Sequence, residues 1–380
     1  MKAVQAPVIP LVGDLIRSTP GTLSLGQGVV YYGPPPEALQ AVRDLPDASR
    51  THLYGPVEGI GPLIDALSRK LADENRIAVG PDVRLVVTAG GNMGFFNAVL
   101  AVCDPGDEVV LNGPYYFNHE MAVVMANAVP VVVPTDDAYH LRPAAIKKAL
   151  TPRTRAVVTV SPNNPTGAVY PEADLREINR MCGELGLYHI HDEAYENFSW
   201  TGPTFSPGSI PGADRHTISL FSFSKAYGFA GWRIGYMAVP TALFEPIRKI
   251  QDTNLICPPI VSQVAALGAL QAGSAYAREK ARPIAEVREI ALRELKGVGP
   301  KCIVPPSDGA FYILLRLRCD LPPLAVVERL VREHQVAAIP GDAFGMPGCS
   351  LRVAFGALQK ETAVEGLGRL ARGLRAILGA

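Results

Sequence analysis

The stretch SFSKAYGFAGWRIG at residues 222–235 sets one lysine just past a hydrophobic run, between serines and a glycine-rich segment. Desolvation in such a setting disfavours the charged amine and makes it nucleophilic toward a carbonyl carbon. Ser222, Ser224 and Arg233 add hydroxyl and guanidinium donors suited to a phosphate. Ser222 and Lys225 also have the S-x-x-K spacing of penicillin-binding enzymes. The S-D-N and K-T-G strings that those enzymes need do not occur here.

Other segments carry matching chemistry. SPNNPTGAVY at 161–170 is a dense turn signal, and it puts Asn164 at the carboxyl end of a strand, where open sheets bind ligands. LYHIHDEAYENF at 187–198, read as a strand, sends His189 and His191 to one face and Ile190 and Asp192 to the other. The H-x-H pair invites a metal reading, but no third ligand stands at a recognisable spacing, so no metal site is expected. Asp192 is suited to pair with a cationic ring nitrogen, and Tyr195 to donate to an oxygen on the same ring. TAGGNMGFF at 88–96 opens a helix with a glycine turn, and Gly90, Gly91 and Asn92 offer backbone donors to a phosphate. Tyr115 or Tyr116, after Gly113 and Pro114, can stack on a planar ring. Arg352, among apolar strand residues, needs a carboxylate partner, and a bidentate substrate carboxylate would serve. Each of these residues also has an ordinary structural use. Their combination carries the signal.

The elements that must position them alternate along the chain. Strands are expected at 84–89, 129–134, 155–160 and 187–195, and in the runs TISLFSFSK and RIGYMAVP. Another follows the turn DPGDEVVLNGP. Helices are expected at 60–76, 92–103 and 171–186. Such alternation implies crossover units and a largely parallel sheet covered on both faces. This α/β unit is placed at 45–275. A helical pattern at 276–296 leads to strands at 311–317, 336–341 and 350–356, with helices at 321–334 and 360–377. That second, smaller α+β unit takes 276–380, with residues 1–44 packed on it.

Composition narrows the function classes. The 380 residues carry 36 basic and 36 acidic side chains, so net charge argues for neither a nucleic-acid nor an acidic-membrane partner. The 36 glycines and 34 prolines argue against a coiled coil or helical array. The cysteines at 103, 182, 257, 302, 319 and 349 are too far apart for a CxxC knuckle or a secreted disulfide framework. No signal peptide or membrane span is read, so a reducing cytoplasm is expected.

The NNPTG turn, the D-x-A-Y strand and the S-x-S-K-x-x-x-x-x-G-W-R-x-G segment together resemble the class I/II aminotransferases. These are fold-type I enzymes dependent on pyridoxal 5′-phosphate. The resemblance runs from LGQG at 25 to LRVAFG at 351. It implies a large domain with a mostly parallel seven-stranded sheet covered by helices, plus a smaller α+β domain. It implies that Lys225 carries the cofactor covalently and is then the general base at the substrate Cα. By the same resemblance Asp192 matches the partner of the ring nitrogen, and Tyr195 and Asn164 match the donors to the ring oxygen. Tyr116 matches the stacking aromatic. Gly90, Gly91, Asn92, Ser222, Ser224 and Arg233 match the phosphate site. Arg352 matches the clamp on the substrate carboxylate, with Gly28 a backbone contact near it. Tyr54, in YGPVEGIGPL, resembles a tyrosine that reaches the phosphate of the neighbouring subunit, which implies a homodimer with shared sites.

The expected activity is a ping-pong transfer of an amino group between an L-amino acid, neutral or aromatic, and a 2-oxo acid. Val29, Val30, Tyr31 and Tyr32 depart from the family's usual acidic residue and proline before an aromatic. They either line an apolar side-chain pocket or serve packing. No lysine or arginine lies between 85 and 141, so that region supplies no cation for a substrate side chain, although Arg17 could supply one. A C–S β-lyase and a non-catalytic regulatory protein that binds the same cofactor are the alternatives.

Overall fold

The computed structural model describes residues 4–45 and 52–379. Helix α1 (Val8–Ser18), strand β1 (Leu23–Ser24) and helix α2 (Pro36–Arg43) come first. Helix α3 (Gly61–Lys70) runs on into one π-helical turn at Leu71–Asn75. Strands and helices then alternate: β2 (Val83–Thr88), α4 (Gly91–Val102), β3 (Glu108–Gly113), α5 (Phe117–Met125), β4 (Val129–Pro134), α6 (Pro143–Ala149), β5 (Thr154–Val160), α7 (Glu172–Leu185) and β6 (Tyr188–Asp192). Next come β7 (Thr217–Ser222), the single-turn α8 (Phe223–Ala226), β8 (Gly235–Pro240) and α9 (Thr241–Asn254). The long α10 (Ile260–Lys296) is followed by β9 (Cys302–Ile303), β10 (Tyr312–Leu317), α11 (Pro323–His334), β11 (Val336–Ala337), β12 (Ile339–Pro340), β13 (Cys349–Ala354) and α12 (Lys360–Leu378).

The large sheet has seven strands in the order β2-β8-β7-β6-β5-β3-β4. Its neighbours are parallel except where β8 meets β2 and β7. Period-two alternation assigns its faces. Leu85 and Val87 of β2 join one apolar core with α3 and the first half of α10, while Val86 joins a second core with α4, α5 and α9. Helix α7 shows the complementary period, burying Leu175, Ile178, Met181 and Cys182 against the sheet and ending at Gly186 in the left-handed region with φ 68°. The mostly parallel sheet with helices on both faces matches the expected α/β architecture.

Helix α10 begins at 260, well before the expected 276, and Gly273 interrupts it with φ 66° and ψ −179°. Ala265, Ala266 and Ala269 belong to the core beside the large sheet. Ile284, Val287, Ala291 and Leu295 belong to another core with β10, β13, α11 and α12. That third core also takes in Val12 of α1 and Leu25. Helix α2 packs instead on the first half of α10, where a Cβ at Gly268 would stand 2.5 Å from the Glu37 carbonyl. No described helix is long and apolar enough to cross a membrane.

One layer under the sheet is polar. The Thr159 hydroxyl lies 2.7 Å from His189 Nε2 and 2.6 Å from His191 Nδ1. Asn179 of α7 meets His189 Nδ1 at 3.1 Å and donates to the Thr217 hydroxyl at 2.7 Å. The pair shares one face of β6, as the alternation requires, and both rings are buried. Nε2 of His191 has no partner among the described residues. Adding a proton to either imidazole would bury a charge and a donor without an acceptor. Burial accordingly lowers the pKa of His189, His191 and His216, that of His191 to about 4.

The sign follows from linkage. Below the ordinary imidazole range the unfolded chain binds protons that the folded chain refuses, so stability falls as pH drops from 6.5 toward 4. For His191 alone the loss at pH 5 is about 2 kcal/mol. A His191→Gln variant should therefore lose less stability than the parent between pH 7 and pH 5, by about that amount, in urea unfolding. Equal losses would show that this ring does not set the acid limit.

Candidate active site

The parallel strands β5, β6 and β7 end side by side, and the start of α4 comes to the same edge. One cavity there is walled by Val160, Asp192 and Ser222 at the strand ends and by Gly91 and Asn92 of α4. Tyr116, Asn164, Tyr195, Ser224, Lys225 and Arg233 also line it.

Lys225 rides on α8, a helix too short to be stable alone. The Ser222 hydroxyl caps it by accepting from the Ser224 N–H at 3.1 Å. From the other side Tyr32 donates its hydroxyl to the Lys225 carbonyl at 2.9 Å. The amine is half-buried, and desolvation with the nearby Arg233 and Arg352 cations lowers its pKa to about 8, against the opposing pull of Asp192. A neutral amine at that pH can attack a carbonyl or take a proton.

The turn before α4 needs glycine. Gly90 has φ 83°, and a Cβ there would lie 2.4 Å from Nη2 of Arg233. The guanidinium crosses this turn and donates to the Ala89 carbonyl at 3.4 Å and the Ala230 carbonyl at 3.0 Å. Free helix N–H groups, two serine hydroxyls and one arginine therefore face one spot, an arrangement suited to a phosphate.

Asp192 is held from two sides. Its Oδ1 accepts the Ala194 N–H at 3.0 Å, and its Oδ2 lies 3.2 Å from His119 Nε2. His119 is buried and stacks on Phe95 with ring centroids 3.8 Å apart. The Tyr116 ring stands edge-on to His119 at 5.1 Å and donates its hydroxyl to Asn92 at 3.3 Å. Burial raises the Tyr116 phenol to about 12, so it stays protonated.

Arg352 of β13 is 2 % exposed. It donates to Asn164 Oδ1 at 2.9 Å and to the Gly26 carbonyl at 2.7 Å, while its Nε has no partner among the described residues. Its guanidinium lies over the Tyr312 ring at 4.7 Å and the Phe344 ring at 4.8 Å. Asn164 Nδ2 donates to the Tyr195 hydroxyl at 3.4 Å. A buried guanidinium with an open edge, beside a nucleophilic amine, is suited to a substrate carboxylate.

Gly90, Arg352, Gly28, Tyr31 and Tyr54, all expected at the site, lie off the described cavity wall. Gly28 stands against the Tyr312 hydroxyl, and the carbonyl that Arg352 holds is that of Gly26. Tyr31 packs edge-on against Tyr32 and donates to the Lys280 carbonyl at 3.2 Å. Tyr54 is 80 % exposed, beside the exposed Leu53. Arg17 sits on the open face of α1, paired with Asp14. His119, Tyr32 and Tyr312 were not expected in supporting roles. His119 follows Tyr116, the residue before α5, by three positions, but its partner Asp192 comes from β6, so spacing gives no signal for it. Tyr312 has none either, because its neighbours come from distant segments.

Residues 20–370 match the family model for aminotransferase class I and II. An aromatic aminotransferase of Arabidopsis thaliana is 36% identical over 98% of this chain and 94% of its own. An aspartate/prephenate aminotransferase of Thermus thermophilus is 34% identical over 94% of this chain and 92% of its own. Among solved structures, the Pyrococcus protein A1 superposes with a TM-score of 0.93 at 31% identity, covering 99% of this chain and 98% of its own. The aromatic aminotransferase of Pyrococcus horikoshii gives 0.88 at 32% identity, over 96% of this chain and 99% of its own. A whole-length match laid over this cleft settles the family: the chain belongs to the class I and II aminotransferases, pyridoxal 5′-phosphate-dependent enzymes that move an amino group between an amino acid and a 2-oxo acid.

Proposed function

We propose that Lys225 is the reacting amine of this aminotransferase and that its preferred donors are aromatic amino acids. The observation that carries the first part is the half-buried Lys225, its pKa lowered to about 8, in one cavity with Asp192, Tyr195 and Arg233. The residues present fit the cofactor. Gly90 leaves room for the Arg233 guanidinium over the turn, and the unpartnered Nε of Arg352 keeps a donor free for the substrate. In this reading Gly90, Gly91, Asn92, Ser222, Ser224 and Arg233 hold the phosphate, Asp192 the ring nitrogen, Tyr195 and Asn164 the ring oxygen, and Tyr116 a ring face.

When bound, pyridoxal 5′-phosphate supplies an electron sink for the negative charge left at the substrate Cα. The protein residues supply the rest. Arg352 binds the substrate carboxylate and fixes the direction of its Cα–H bond. The Lys225 amine takes that proton and returns it one position away, a task suited to a base whose pKa lies near the working pH. The Asp192 carboxylate favours a protonated ring nitrogen, and His119 keeps that carboxylate in place.

Aromatic donors are favoured by the names of two relatives, that of Arabidopsis thaliana and the aromatic-amino-acid aminotransferase 2 of Thermococcus litoralis. The cations on the described cavity wall are Lys225 and Arg233, and this reading gives both to the cofactor, so neither is left for a second substrate carboxylate. A second substrate carboxylate, as in aspartate, would need a further cation, and Arg17 is already paired on the open face of α1. The exposed Tyr54 and Leu53 suit a homodimer in which Tyr54 reaches the phosphate of the other subunit. A chain that sediments as a monomer when fully active would end that part of the reading. Six free thiols fit a reducing compartment such as the cytoplasm.

Two measurements test the reading. With one 2-oxo acid acceptor, kcat/KM for phenylalanine or tyrosine should exceed that for aspartate by about tenfold or more, the weight of one unmatched charge. A preference for aspartate would reverse the substrate assignment. The apoprotein should capture pyridoxal 5′-phosphate at a rate that rises with pH and levels off just above 8, where Lys225 is neutral. A rate that keeps rising toward the ordinary lysine range near 10.5 would place the reacting amine elsewhere.

A further inference from the structure

Tyr312 lies outside the cavity wall, fully buried on β10. Its hydroxyl has one hydrogen-bond partner among the described residues, the Tyr195 hydroxyl at 2.7 Å. We propose that Tyr312 is a positioning residue that sets the direction of the Tyr195 proton, and that Gly28 is glycine to make room for it. The proposal rests on the reading that the Tyr195 hydroxyl meets the ring oxygen of the cofactor.

The direction of the bond follows from counting donors and acceptors. If Tyr195 donated to Tyr312, the Tyr312 proton would be buried with no acceptor, at the cost of an unmade hydrogen bond. Tyr312 therefore donates. The Tyr195 oxygen then accepts from Tyr312 and from Asn164 Nδ2, which fills both of its lone pairs. Its single proton is left to point into the cavity. Burial raises both phenols, so both protons are in place at working pH. Tyr312, Tyr116 and Arg352 act most strongly on Tyr195, and Asp192 and Lys225 share its cavity.

Both donors to Tyr195 depend on Arg352. The guanidinium binds Asn164 Oδ1, which turns the Asn164 amide nitrogen toward Tyr195. It also lies over the Tyr312 ring, where its charge makes the phenol a stronger donor. Gly28 completes the arrangement, because a Cβ there would stand 2.5 Å from the Tyr312 hydroxyl oxygen and 3.5 Å from the carbon that bears it. Only the hydroxyl demands glycine.

The test is a spectroscopic pH titration of the holoenzyme. Donation from Tyr195 favours the ionised ring oxygen, so weakening it should raise the pH midpoint of the bound cofactor's absorption change. Tyr312→Phe should raise that midpoint by about half a unit to one unit, the scale of one hydrogen bond, and Tyr195→Phe by at least as much. Gly28→Ala should shift it the same way in the parent but add little in Tyr312→Phe, where the oxygen it strikes is gone. A midpoint unchanged in Tyr312→Phe but raised in Tyr195→Phe overturns the proposal. A midpoint unchanged in both removes the reading on which it rests. A thermal melt of each variant verifies folding, and a purely structural role would lower the melt without moving the midpoint.

Discussion

A lysine ammonium is costly to desolvate, and two nearby guanidinium groups raise that cost further. The site depends on holding Lys225 where this penalty applies. Helix α8 has no stability of its own, so the constraint falls on its surroundings. The Ser222 cap comes from the end of a buried strand, and the Tyr32 hydroxyl comes from the N-terminal segment. A Cβ at Gly228 would meet the Tyr32 and Gly33 carbonyls at 2.6 Å, so that segment lies flat on the turn after the lysine. The segment at Tyr32 and Gly33 thus holds the turn that carries Lys225.

The same logic links the two ends of the cleft. Gly167, in the NNPTG turn, has φ 77°, and a Cβ there would lie 2.4 Å from the Tyr312 carbonyl. The turn that carries Asn164 is therefore seated directly on β10, whose neighbour β13 carries Arg352. Asn164, Tyr195, Tyr312 and Arg352 form one bonded group across this junction. The Arg352 guanidinium and the Tyr195 hydroxyl, which shares a cavity with Lys225, are parts of one bonded group, so displacement at one is felt at the other.

Much of this was legible in the residues. The alternation along β6 separated Asp192 from His189 and His191, and the glycine turn at 90 marked the start of α4. Local chemistry that needs only neighbours in sequence is readable in this way. Helices α5 and α6 are too short to show a clear apolar period, and α9 carries Pro246 in its interior, which reads as a break. The first half of α10 is rich in alanine and glycine and buries several of its faces, so it shows little amphipathic pattern. Tyr31 looked like a pocket residue by type, yet the backbone turns it toward Lys280. His119 and Tyr312 act through contacts between distant segments, which spacing alone does not reveal.

The central claim is that Lys225 is the amine that meets the cofactor. The most direct measurement is to load the protein with pyridoxal 5′-phosphate, reduce it with borohydride, digest it and locate the pyridoxyl group by mass spectrometry. The account predicts one modified peptide, with the added mass on Lys225. Modification of a different lysine, or none after loading, would contradict it.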